Sequence, residues 1–306
     1  MSFTSIVKNE VSKLELTKIE SIALLSSIIR NSEKNEELIK ITTENSSLAR
    51  TIFKELKEIY GVISKITVRK GYNYNKNYIY ILEINTNVKE ILNSLGLFDN
   101  EILNIPKSYI VDDEDSIRSY LRGLFLINGS INDPKKSRYH LEFIVNNEEY
   151  SKFIVELLNR FFLNSKYIKR DSKYMVYIKE AEKIGDFLRI INAYNAVLYY
   201  EDIRIYRDHK NMTNRLNNCE QANVDKIVMS ASKQVSDIEK IKNECGLDVL
   251  DEKVRIVAEY RLKYKEASLL ELSEIISIET GIPITKSGIN HRMKKIEEIA
   301  SRIKNC

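Results

Sequence analysis

The chain reads as an α+β protein in three parts: a duplicated α/β body, a helical linker and an all-α C-terminal module. Three observations predict this. One order of elements (helix, extended run, capped helix, two strand-like runs, helix) occurs twice before residue 200. Strand patterning then disappears from about 193 to 243. Beyond residue 248 the apolar residues recur only at helical spacing.

In the first copy, Ile19, Ile22, Ala23, Leu25, Ile28 and Ile29 give residues 17–30 the apolar face of a helix. Residues 38–42 form an extended run. Asn45 is placed as the N-cap of a helix with Leu48, Ile52, Phe53, Leu56, Ile59 and Tyr60 inward, and Gly61 stands just past its end. Two β-rich runs, 62–69 and 78–85, are joined by GYNYNK (71–76), and a short helix over 88–95 stops at Gly96. After an acidic connector, DDED (112–115), the second copy offers a helix over 116–127 and an extended run over 139–145. An Asn147-capped helix with Phe153, Ile154, Leu157, Leu158 and Phe161 follows, then strands over 166–170 and 174–179 and a helix over 180–191. Leu25 and Leu121 lie 96 residues apart and Asn45 and Asn147 lie 102 apart, so the copies keep a near-constant offset. Two pseudo-symmetric halves packed on each other are expected.

The expected segments are 1–110 and 111–200 for the halves of the body, 201–247 for the linker and 248–306 for the C-terminal module. In the linker Val224, Val228, Ala231, Val235 and Ile238 step by four and three, one seam of a long helix expected to dock on the body.

Composition narrows the function. With 43% hydrophobic residues, 30% charged, 9 Gly and 3 Pro, the chain is neither collagen-like nor wholly disordered. The N-terminus has no apolar stretch of signal-peptide type, and no run approaches the ~18 residues of a membrane helix, so a soluble cytoplasmic protein with no membrane partner is expected. Cys219, Cys245 and Cys306 are widely spaced, as are His140, His209 and His291, which supports no disulfide framework, metal site or cofactor. The net charge of +4 is too small to make the whole chain a polycation, so a nucleic-acid partner must be argued from where the charge lies.

It lies near the C-terminus. Leu269, Leu270, Leu272, Ile275 and Ile276 form the inner stripe of a helix that opens with a capping box, Ser268 at the cap and Glu271 at N3. Gly281 and Pro283 break that helix, and a second follows with Ile289, Met293, Ile296 and Ile299 inward. From Lys286 to Lys304 the basic residues Lys286, Arg292, Lys294, Lys295, Arg302 and Lys304 face only Glu297 and Glu298, a net of +4 that equals the whole chain's surplus. A helix, a turn and a second helix with polar and basic residues near its start is how a recognition helix enters a major groove; the helix-turn-helix is expected over about 268–302. Asn290 can read adenine, Arg292, Lys294 and Lys295 can take guanine or phosphate, and Lys286, Ser287, His291 and Ser268 complete the expected double-stranded DNA face.

The second motif is the helix YLRGLFLINGS (120–130), where Gly123 lets another helix approach closely. This helix resembles a degenerate LAGLIDADG motif, and the chain as a whole resembles the bacterial WhiA family. The strings that carry the resemblance are MSF (1–3), TENSSLAR (43–50), YLRGLFL (120–126), GSIND (129–133), YHLE (139–142), KEAEKI (179–184), NRLNNC (214–219) with Ala222 and Asn223, and TKSGINHR (285–292). Two features depart from the family pattern: a longer turn through residues 278–283, and a first-half motif, LSSIIRNSE (25–33), without a terminal glycine.

The resemblance implies a homing-endonuclease-like body joined to a helix-turn-helix. It implies a DNA-binding regulator linked to cell division, chromosome segregation and, in spore-forming relatives, sporulation transcription. A LAGLIDADG-like nuclease needs one carboxylate from each helix end to hold divalent metal. Alignment puts Asn128 and Ser32 at those positions, with Glu33 and Asp133 as neighbouring acids, so no enzyme activity, no catalytic residue and no metal are expected. Lys65, Arg69, Lys70, Lys76, Lys166, Lys169, Arg170 and Lys173 fall on or beside predicted strands, as a DNA-facing saddle or as lysine-blunted edges. The alternatives are a metal-dependent endonuclease, or an adaptor that docks a sigma factor or a division protein.

Overall fold

A computed structural model describes residues 2–71, 78–136 and 138–303. Lys76, Lys304 and Cys306 lie outside the described residues, as does most of the 71–76 connection. The chain divides into two compact units, Met1–Asp208 and His209–Cys306, and the division falls inside the expected linker segment.

The first unit opens with α1 (Phe3–Val11), which the sequence pattern did not announce, and α2 (Lys18–Arg30). Next come β1 (Glu33–Lys34), β2 (Ile39–Thr43), α3 (Ser46–Tyr60), β3 (Lys65–Lys70), β4 (Tyr78–Ile84) and α4 (Val88–Ser94). A small hairpin, β5 (Phe98–Asp99) and β6 (Glu101–Ile102), leads to the second copy. That copy runs α5 (Glu114–Asn128), β7 (Gly129–Ile131), β8 (Leu141–Val145), α6 (Glu148–Arg160), β9 (Lys166–Arg170), β10 (Lys173–Ile178) and α7 (Ala181–Ile190). The two sheets are antiparallel with matching orders, β1-β2-β4-β3 and β7-β8-β10-β9. Their registers match too: Ile39 faces Ile84 as Leu141 faces Ile178. The duplication predicted from spacing is thus a duplication of topology, and both halves share one hydrophobic core.

Local chemistry fixes the helix ends. Asn45 and Asn147 each accept from a backbone N–H three residues on, at 3.0 and 3.2 Å, and Gly61 ends α3 with φ +67°. The acidic run 112–115 is not a connector: Asp113 caps α5 through Ser116 N–H at 2.8 Å, and Glu114 and Asp115 fill the first turn, where carboxylates favour the helix dipole. Ile19, expected inside, is 63% exposed, because α2 buries the stretch from Ala23 to Ile29 while Lys18 and Ile19 at its start stay outside.

Helix α8 (Tyr194–Glu244) begins in the first unit, where Ala196, Val197 and Tyr200 join the core. In the second unit residues 209–230 are all exposed. The expected seam is corrected here: Val224 and Val228 are 52% and 47% exposed, whereas Ala231 and Ile238 are buried and Ile238 joins the C-terminal core rather than the body. That core is completed by α9 (Glu252–Lys263), α10 (Leu269–Thr280) and α11 (Lys286–Arg302), through Val257, Leu272, Ile276, Ile289, Met293 and Ile296. Leu270, expected in the inner stripe, is exposed.

Candidate nucleic-acid interface

The turn between α10 and α11 is braced by hydroxyls. Gly281 takes φ +72°, and the Ser277 hydroxyl accepts from Ile284 N–H at 3.0 Å while donating to the Ser273 carbonyl at 2.7 Å. Thr285 then caps α11 through Gly288 N–H at 3.1 Å. Upstream, the capping box forms: Ser268 N–H donates to the Glu271 carboxylate at 2.7 Å and Glu271 N–H to the Ser268 hydroxyl at 3.2 Å. Behind it, Arg261 is 1% exposed and donates to the Ala267 carbonyl at 2.5 Å, tying the end of α9 to the start of α10.

With Ile289, Met293, Ile296 and Ala300 turned into the core, the opposite side of α11 is solvent-facing. Ser287, Asn290, His291 and Lys294 are exposed and recur at i, i+3, i+4 and i+7, so they share one stripe. Lys286 and Lys295, also exposed, flank it. The remaining two expected contacts stand apart: Arg292 is half-buried off the stripe, and Ser268 is engaged in the capping box. Among the described residues Lys286, Arg292 and Lys294 make no close ion pair, Lys294 acting on Glu297 only at longer range, whereas Lys295 pairs with Asp251 at 3.0 Å. Glu297 is engaged by Lys233, whose ammonium holds that carboxyl below its usual range.

In the body, α2 and α5 pack with their backbones in close approach. A Cβ on Gly123 would lie 2.6 Å from the Leu24 carbonyl oxygen, and the Ser119 hydroxyl donates to the Glu20 carbonyl at 2.7 Å. Arg122, in the same motif, is buried and donates to the Ile191 carbonyl. Where the helices end, Asn128 Nδ2 donates to Asn31 Oδ1 and to the Ile144 carbonyl, both at 2.9 Å. Asn31 Nδ2 in turn donates to the Ser27 carbonyl at 2.8 Å and to the Tyr150 hydroxyl at 3.0 Å. Tyr150 bonds Tyr120 at 2.9 Å, and burial pushes both phenols up, so they act as neutral hydroxyls.

The partner of Asn128 is therefore Asn31 and not Ser32, whose hydroxyl folds back onto the Ile28 carbonyl at 2.8 Å. Neither neighbouring acid is positioned to replace the lost carboxylates: Glu33 pairs with Lys40 at 2.9 Å, and Asp133 accepts from Lys135 N–H. Paired amides beside cations do not fit a divalent metal, which needs charged oxygen donors. Among the described residues no group of His, Cys, Asp and Glu is arranged to hold one.

The predicted basic strand residues Lys65, Arg69 and Lys70 are exposed on edge strand β3, and Lys166, Lys169 and Arg170 on edge strand β9. No helix among the described residues is long and apolar enough to cross a membrane.

Three family models match in chain order: the WhiA N-terminal LAGLIDADG-like domain over residues 15–98, the WhiA LAGLIDADG-like domain over 117–210 and the WhiA C-terminal HTH domain over 213–300. The chain is 45% identical to "Probable cell division protein WhiA" of Staphylococcus haemolyticus, over all of this chain and 98% of that one. It is 43% identical to the protein of that name in Staphylococcus aureus, with the same coverage. The crystal structure of full-length DUF199/WhiA from Thermatoga maritima matches the whole length of both chains with a TM-score of 0.57 at 27% identity.

Proposed function

The chain belongs to the WhiA family, and from that premise we propose that it is a non-catalytic, DNA-binding regulator acting in bacterial cell division. In this reading residues 1–200 are the duplicated scaffold, 201–247 the linker and 248–306 the DNA-reading module. The observation that carries it is the α11 stripe: Ser287, Asn290, His291 and Lys294 share an exposed face, flanked by an unpaired Lys286. An exposed amide can make the two-point contact that adenine offers in a major groove, while the lysines neutralise phosphates. The finer assignments, control of transcription and chromosome segregation from the nucleoid, belong to the same proposal. So does a sigma factor or division protein as a partner of the body.

Charge reversal at Lys286 and Lys294 is the test, since these lysines carry no intramolecular ion pair. Duplex affinity at moderate salt should fall by about a hundredfold or more, and the slope of log K against log salt should shrink by roughly 0.9 per lost phosphate contact. Unchanged affinity and slope, with an unchanged thermal melt, would overturn the assignment. Amides meet where α2 and α5 end, and Glu33, the one acid lining the cleft there, is paired with Lys40, which supports a body that does not cut. Duplex incubated with Mg²⁺ or Mn²⁺ should stay intact; cutting that Asn128→Ala abolishes would establish the endonuclease reading instead.

A further inference from the structure

The end of α2 opens onto a cleft of about 400 Å³ lined by Arg30, Lys34, Lys173, Asn128 and Asn146, among others. None of these three cations has an ion pair among the described residues. Lys34 gives its ammonium to two carbonyls, Arg30 at 2.7 Å and Ser32 at 3.4 Å. Arg30 stacks over the Tyr150 ring at 4.6 Å and uses only its Nε, on the Asn104 carbonyl at 2.6 Å. Its two terminal nitrogens and the exposed Lys173 ammonium have no hydrogen-bond partner among the described residues. Glu33, the one acid in the lining, is already held by Lys40. Burial, reinforced by the Arg30 charge, pushes the Lys34 ammonium down to about 8, the sign of a cation that lacks a counter-charge.

The pseudo-symmetric cleft on the other half is the internal control. There the end of α5 meets β2 and the Asn45 cap in the same arrangement. The offsets between the copies place Leu126 where this cleft has Arg30, and Ile79 where it has Lys173. That cleft retains Lys8, with Glu44 also in its lining. The shared fold therefore supplies the cavity, and Arg30 and Lys173, which apolar residues replace in the described lining of the other cleft, supply the added charge.

We infer that the cleft at the end of α2 is an oxyanion site for a phosphate group, held by the Arg30 terminal nitrogens, Lys34 and Lys173, in a place where the parent fold would hold a cation. A guanidinium offers a planar pair of donors to phosphate oxygens, and two ammonium groups supply further donors from other directions. The source favoured here is the backbone of duplex DNA. That choice of source rests on the DNA-binding reading above, whereas the choice of phosphate does not.

The test uses the full chain with its lysines labelled for NMR, so that the Lys34 titration is read directly. Millimolar inorganic phosphate should raise the Lys34 midpoint by about one pH unit, a tenfold gain in proton affinity, and Arg30→Gln should abolish the shift. A short duplex should produce the same shift, and Arg30→Gln with Lys173→Gln should lower the salt slope of duplex binding by roughly 0.9 per phosphate lost. Lys8→Met, on the control cleft, should change neither. A response to free phosphate with no response to duplex, in slope or in Lys34, would keep the anion site and assign it to a free phosphate or phosphomonoester. No movement of Lys34 with either probe, in protein whose melt is unaltered, overturns the site. A Lys34 response alongside intact duplex binding by the Lys286 and Lys294 reversal would instead overturn the α11 reading and leave the cleft standing.

Discussion

Asn290 on α11 and Asn128 at the end of α5 are the same side chain in opposite circumstances. Asn290 is exposed, with no side-chain hydrogen bond among the described residues, on a helix whose other side is core. Asn128 donates to Asn31 and to the Ile144 carbonyl, closing the gap where two buried helices meet. An amide can read a base only while its donor and acceptor are unengaged, so polarity at a helix end does not by itself make a ligand site. In the body the residues able to meet a ligand are the cations around the amide pair.

This contrast is broken most forcefully at Gly123. If the meeting of α2 and α5 is rigid packing, a side chain there has no room, since the contacting atom is the Leu24 backbone carbonyl and not a movable side-chain end. Gly123→Leu should destabilise the body by about 3 kcal/mol or more, beyond ordinary overpacking, because two helices must separate. A urea melt reads this; a loss under about 1 kcal/mol would mean that the helices slide freely and that the amide pair is not fixed.

The two asparagines themselves give the sharper comparison, at an intermediate size. Asn128→Ala leaves the Asn31 carbonyl oxygen and the Ile144 carbonyl without donors and should cost about 1–3 kcal/mol of stability with little change in DNA affinity. Asn290→Ala should leave the melt unchanged and cost about 1–3 kcal/mol of discrimination at one base position, measured against a panel of single-base variants of a bound duplex. If the two substitutions have the same profile, the distinction between an engaged and an unengaged amide is wrong.

The sequence made these regions legible to different depths. Caps were readable because they are local: Asn45, Asn147, Gly61 and the Ser268–Glu271 pair each act within a few residues. The α11 stripe was readable for the same reason, since one helical period sets it. What was missed depends on distance along the chain. Strands β1 and β7 have two and three residues, too few for any period, and exist by pairing with β2 and β8. The offset of 96 pairs Ser32 with Asn128 by position, but the side chain that reaches Asn128 is Asn31, the C-cap of α2, because the Ser32 hydroxyl turns back onto Ile28. Lys295 lost its place among the free cations to an Asp251 that lies 44 residues away.

The smallest expected effect separates Lys8 from Lys34, two half-buried lysines of the body. Burial pushes Lys8, like Lys34, down to about 8, and its ammonium sits 5.7 Å from the Phe125 ring centroid with no carboxylate in ion-pair range among the described residues. The unfolded chain holds that proton until about pH 10.5. Between about 8 and 10.5 the unfolded state therefore binds more protons than the folded one, so Lys8 makes stability rise with pH across that window and imposes its full cost below it. Lys8→Met removes the cost while keeping the length of the side chain. The variant should be more stable than the parent by about 1 kcal/mol at pH 7, with the gap closing as pH approaches 10. Parallel urea curves at pH 7, 8.5 and 10 would show that Lys8 reaches water in the folded state. Because Lys8 lies in the cleft without arginine, phosphate should leave its pH profile unmoved, and a phosphate response there would mean that the charge difference between the two clefts does not decide which of them binds an anion.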